Sequence, residues 1–157
     1  YACALRVSEL NAFLISNIDF QNEFIKIIGK GNKERIIPIT QSMLNLILLY
    51  INEVRSQIPK VKGYEDILFL NRFGKSLSRI TIFTMIKALA DKIGLKKTIS
   101  PHTFRHSFAV HLLQNGANVR AVQKLLGNQV LTYMDTYYEI INNDKINIVY
   151  KNSHPRA

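Results

Sequence analysis

Ser100-Pro101-His102-Thr103-Phe104-Arg105-His106 sets an imidazole and a guanidinium three residues apart at the start of a helix. Ser100 is a good N-cap and Pro101 is pre-organised for the first helical position, so His102 and Arg105 fall in the first turn and a half, on one face. The exposed N–H groups of a helix start add partial positive charge there, and an Arg fork can grip two phosphoryl oxygens while His donates or relays a proton. Such a pair also suits a helix start facing solvent or an acidic neighbour. The rest of the chain decides between the two.

Downstream, the helix from Pro101 runs to Asn115 and stops at Gly116. Asn118 then caps a short helix through Leu126 that Gly127 terminates. Thr132 to Ile140 and Asp144 to Lys151 are two further helical candidates. Upstream, a helix is expected from about Ser78 to Ile93, closed by Gly94, and another from Gln41 to about Ile58, ended by Pro59. Residues 59–78 read as turns and short extended pieces. Val7, Leu10, Phe13 and Leu14 have helical spacing, but from Ile18 the period changes. Phe24 to Ile28 and Arg35 to Pro38 read as antiparallel strands around the turn Gly29-Lys30-Gly31-Asn32-Lys33. The expected class is α+β, mainly helical with a small antiparallel sheet.

With 157 residues and 47% hydrophobic content, the chain can bury one sizeable core. Lys plus Arg number 21 against 11 acidic residues, a formal net charge of +10, which suits a polyanionic partner. The single cysteine, Cys3, excludes an internal disulfide framework and reads as a small buried apolar residue. No apolar run approaches the roughly 18 residues that span a bilayer, and no signal-peptide pattern opens the chain. A soluble, cytoplasmic protein without membrane association is expected. The start at Tyr1, without an initiator Met, reads as a domain cut from a longer protein.

Leu5-Arg6-Val7-Ser8-Glu9-Leu10, Ile28-Gly29-Lys30-Gly31-Asn32-Lys33-Glu34-Arg35, Ser100 to Ala109, Leu125-Leu126-Gly127 and the following Tyr137 together resemble the tyrosine recombinase (phage integrase) family. They occur in order and with family-like spacing across nearly the whole chain. The ending Ser153-His154-Pro155-Arg156-Ala157 resembles Xer-type members. The resemblance implies that residues 1–157 are a single catalytic domain, without the helical DNA-clamping (core-binding) domain that precedes it in the family. It makes Arg6 and Arg105 the catalytic arginines, Lys30 the catalytic lysine, His102 the partner of Arg105, and Tyr137 the nucleophile. Tyr137 lies nine positions beyond Asn128, the residue that follows Leu-Leu-Gly, while Tyr138 is the reserve candidate. It also implies double-stranded DNA as partner and a homo- or hetero-tetramer of recombinases on that DNA. A C-terminal segment, here with Ile146, Ile148, Val149 and Tyr150, would dock on the neighbouring subunit.

The chemistry follows from the residue types. Rejoining DNA without ATP requires the phosphodiester's free energy to be kept in a covalent bond, which a phenol does as a phosphotyrosine, on the 3′ side as the resemblance implies. Two arginines neutralise the nonbridging oxygens as charge grows at phosphorus. A lysine whose pKa is lowered by neighbouring cations protonates the departing 5′-hydroxyl. No carboxylate cluster, and so no magnesium or other cofactor, is required.

Competing readings stand beside these. Arg6 can simply pair with Glu9 across a helical turn. Lys33 and Lys26 compete with Lys30 for the lysine role. His102, His106 and His111 form a series that invites a zinc reading, but there is no HExxH glutamate or nearby Cys ligand, so His106 reads as support for the site and His111 as structural. Asn128 stands where the family has His or sometimes Trp. Asn donates a hydrogen bond but neither transfers a proton nor carries charge. Three functions remain: a site-specific recombinase or integrase, a catalytically weakened DNA-binding protein of the same fold, and a type IB topoisomerase.

Overall fold

The computed structural model describes residues 1–29 and 31–127, and in it the period-two stretches become a three-stranded antiparallel meander. Its strands are β1 (Ile18–Asp19), β2 (Phe24–Ile28) and β3 (Glu34–Pro38). Lys26 opposes Ile36, and Ile27 opposes Arg35. Ile25, Ile27 and Ile37 are therefore in phase on one face, and all are buried. Asp19 closes the β1–β2 turn by accepting the Gln21 and Asn22 N–H groups.

The helices are α1 (Val7–Asn11), α2 (Gln41–Leu49), α3 (Arg79–Lys92), α4 (Pro101–Gln114) and α5 (Val119–Leu126). The caps fall on the residues whose chemistry predicts them. Ser78 Oγ accepts the Thr81 N–H at 3.0 Å and Asn118 Oδ1 the Arg120 N–H at 2.9 Å. Ser100 and Thr103 bond reciprocally, Thr103 Oγ1 accepting the Ser100 N–H at 3.1 Å. The course expected from Gln41 to Ile58 is continuous but not uniform. After Leu49 it widens into a π-type turn over Tyr50–Val54 and then tightens over Arg55–Gln57. There Arg55 donates to the carbonyls of Ile67 and Glu65.

The first helix is shorter than its apolar spacing suggests, ending at Asn11 rather than Leu14. Long-range pairing takes over the residues beyond: the Phe13 carbonyl accepts the Leu68 N–H, Ile15 N–H donates to Asp66, and Leu14 bridges to Ile67. Local periodicity has no means of registering a partner some fifty positions away.

Two apolar clusters result. One joins the inner sheet face (Ile25, Ile27, Ile37) to Leu44 of α2 and to Phe13 and Leu68. The other packs Ala109 and Leu113 of α4 against Val122 and Leu126 of α5 and against Ala4. Burying each large aliphatic side chain contributes about 1.5–3 kcal/mol. Leu125 packs on the first cluster and Leu126 belongs to the second, so the end of α5 lies where the two meet.

The described residues thus form a mainly helical α+β fold with one small antiparallel sheet, the class expected. No helix among them is long and apolar enough to cross a membrane. Lys30, Asn128, Tyr137, Tyr138 and the candidate helices 132–140 and 144–151 lie outside the described residues.

Candidate active site at the end of α5

Arg6 is the N-cap of α1, and Glu9 reaches back across the first turn so that its Oε2 accepts the Arg6 backbone N–H at 2.7 Å. The Glu9 Oε1 also accepts from Arg6 Nη1 at 2.8 Å. The pairing named above as the competing reading for Arg6 is therefore real. It is half of the arrangement. The other half comes from β3, where Arg35 is in phase with the buried Ile37 and directly opposite Ile27. Its side chain points to the core side, is 10% exposed, and must find a partner there. Nη1 and Nη2 each donate to one Glu9 oxygen at 2.8 Å, a bidentate fork.

Glu9 is buried, which alone would push its carboxyl upward in pKa. The hydrogen bonds from Arg35 and from the Arg6 backbone and side chain outweigh that effect and hold it at about 2. The carboxylate is fully ionised near neutrality and orders both guanidinium groups.

Arg105, on α4, is also buried. It donates through Nη1 to the Ala4 carbonyl and through Nη2 to the Leu126 carbonyl. Ala4 has φ +47°, a left-handed conformation that costs a non-glycine residue about 1–2 kcal/mol. The Arg105 bond helps hold that bend, two residues before Arg6.

All three arginines converge on the end of α5. The last carbonyls of a helix lack intrahelical partners and carry partial negative charge. Arg35 Nε donates to the Leu125 carbonyl at 2.8 Å, Arg105 Nη2 to that of Leu126, and Arg6 Nη2 to that of Gly127 at 3.1 Å. Three consecutive carbonyls thus each receive a guanidinium from a different element. Gly127, the residue before Asn128, ends the helix with φ +61°. Arg6 is the most open of the three, its side chain 35% exposed.

The structure therefore brings Arg6 and Arg105 to one helix end, while His102 sits exposed in the first turn of α4. His106 is exposed on the same helix. His111 Nδ1 meets the Tyr1 hydroxyl at 2.5 Å, and its ring packs edge-on against that of Tyr1, as suits a structural role. Among the described residues no three His, Cys, Asp or Glu side chains gather as a metal ligand set. Of the lysines weighed against Lys30, Lys26 is held by Glu34 at 2.8 Å. Lys33 is exposed on the wall of an open groove that also takes in Arg6, Glu9, Arg35, Arg120 and Lys124.

Sequence reasoning gave no role to Arg35 and treated Glu9 only as a competitor for Arg6. A usable signal existed: counting back by twos from Ile39 and Ile37 sets Arg35 on the buried face, where an arginine requires a buried acceptor.

The fold and the arginine cluster together define a tyrosine recombinase catalytic domain fold. The chain belongs to the Phage integrase family, whose sequence profile matches residues 1–143. It is 43% identical to the tyrosine recombinase XerD of Staphylococcus aureus over 157 residues, all of this chain and 52% of that protein. The crystal structure of XerA recombinase superposes with a TM-score of 0.81 at 29% identity, over 99% of this chain and 56% of that one. XerH site-specific recombinase, in a post-cleavage complex with its palindromic difH substrate, gives a TM-score of 0.81 at 26% identity over 99% of this chain and 43% of that one. The chain spans about half the length of the curated relatives it matches.

Proposed function

We propose that residues 1–157 are the catalytic domain of a site-specific DNA recombinase that cuts and rejoins duplex DNA through Tyr137. The observation that carries this reading is the convergence of Arg6 and Arg105 on the carbonyls of Leu126 and Gly127, immediately before Asn128 in the chain. The family membership and the DNA-bound XerH relative support it.

In this reading Arg6 and Arg105 face the nonbridging oxygens of the scissile phosphate and stabilise the charge that develops there. The carbonyl contacts orient both guanidinium groups at the end of α5. The Tyr137 hydroxyl loses its proton, which His102 helps carry away, as its oxygen attacks phosphorus; the bond to the 5′-oxygen breaks, and Lys30 supplies the proton that makes that oxygen a hydroxyl. A 3′-phosphotyrosine remains. Attack by another strand's 5′-hydroxyl reverses the step and restores the phosphodiester. His102 assists proton movement, and Asn128 donates a hydrogen bond to a phosphate oxygen. The chemistry is complete without metal or ATP because one phosphoester replaces another.

The protein would work on DNA in the cytoplasm as a tetramer of recombinases, with the segment carrying Ile146, Ile148, Val149 and Tyr150 joining neighbours. The test is covalent capture: full-length protein incubated with nicked duplex from its neighbouring genomic DNA forms a protein–DNA adduct mapping to Tyr137. Binding with no adduct would favour the weakened DNA-binding protein instead.

A further inference from the structure

We propose that Arg35 is a positioning residue for strand cleavage, tying the backbone that leads into Lys30 and Asn128 to the phosphate-binding Arg6. The inference rests on the recombinase reading and deepens it. Arg35 differs from Arg6 in that all three of its guanidinium nitrogens donate to protein acceptors, and its side chain is 10% exposed against 35% for Arg6. Its work is between elements. The two Nη atoms take both oxygens of Glu9, whose Oε1 also holds Arg6, and Nε takes the Leu125 carbonyl. One guanidinium thereby joins β3, α1 and α5.

The close approach of two glycines extends the link. A methyl group at Gly127 would lie 3.2 Å from both Cδ and Nη1 of Arg35, and one at Gly29 would lie 3.7 Å from the same Nη1. Gly29 precedes Lys30 and Gly127 precedes Asn128. The Arg35 guanidinium thus lies close beside Gly127, just before Asn128, more loosely beside Gly29, just before Lys30, and is bonded, through Glu9, to Arg6. A displacement near 1 Å at a reacting centre is enough to slow chemistry strongly. Lysine cannot replace this group, because one ammonium cannot span two carboxylate oxygens and a carbonyl in fixed directions.

The test uses full-length protein, a nicked suicide duplex and single-turnover capture, with Arg35→Lys and Arg35→Met beside the wild type. DNA affinity should stay within about threefold of wild type while the capture rate at saturating DNA falls about tenfold to a hundredfold. The half-saturating concentration should hardly move. In combination with Arg6→Lys, the loss from Arg35→Lys should be less than multiplicative, because both changes act on the same guanidinium. If Arg35→Met does not fold, Arg35→Lys, which keeps a cation beside Glu9, decides alone. Wild-type capture rates in the variants, or binding and capture lost in equal proportion, would overturn the positioning role. A wild type that binds but never forms an adduct is a different failure: it removes the recombinase reading, and this inference with it.

Discussion

Glu9 makes the case for reading single residues by their energetics. A buried carboxylate persists only when its neighbours hold the charged form, and two arginines do so here. Its folded pKa of about 2 lies below the ordinary 4.5, so its contribution to stability is complete above about pH 4.5 and is lost as pH falls toward 2. Glu9→Gln should therefore flatten the acid limb of a melting-temperature profile across that window. It should also cost about 3–5 kcal/mol near neutrality, because Arg35 is left without its charge partner. An unchanged acid limb would show that other carboxylates control it. The proposed nucleophile is tested at the same scale. Tyr137→Phe should abolish covalent capture with DNA binding preserved, whereas Tyr138→Phe should keep it. Asn128→His restores a donor that can carry charge, so capture should be retained or rise by up to about tenfold, equivalent to roughly 1.4 kcal/mol at the transition state.

At the scale of elements, α5 is a short helix whose C-terminal end organises three arginines. Gly127 is the joint. Alanine there would have to adopt φ +61° and would crowd the Arg35 side chain at 3.2 Å. Gly127→Ala should lose about 1–2 kcal/mol from the left-handed backbone alone, visible as a lower denaturant midpoint. Leu126→Ala, at a fully buried position, should cost about 2–5 kcal/mol by leaving a cavity between α4 and α5. The boundaries of this helix were legible because Asn118 and Gly127 have side-chain and backbone chemistry that starts and stops helices locally. The end of α1 was not, because the Phe13 carbonyl and Ile15 N–H pair with residues 66–68, far along the chain.

Over the whole molecule the formal charge of +10 gives the proposed DNA binding a testable salt dependence. Each phosphate neutralised releases a counterion, so affinity for duplex should fall at least tenfold between about 50 and 200 mM salt. An affinity insensitive to salt would count against the polyanion interface, including the exposed Arg120 and Lys124 beside the groove. Removing residues 144–157, with the apolar Ile146, Ile148 and Val149, should impair assembly of recombinases on paired sites more than binding to one site. Gel-shift and cross-linking titrations separate the two, and equal losses would reject a docking role for that segment.

The sequence by itself determined most of the elements among residues 1–127, though not the end of α1, and named the candidate chemistry. Caps, glycine stops and period-two alternation act over a few residues, and the ordered blocks around Arg6, Lys30, His102, Arg105 and Tyr137 identify the family without coordinates. Only the tertiary structure decided that Arg6, Arg35 and Arg105 each take one of three consecutive carbonyls at the end of α5, and that Glu9 couples two of them. The reason is physical: an unsatisfied helix carbonyl and a buried carboxylate accept whichever donor the packing of distant elements delivers, and the local sequence does not name that donor.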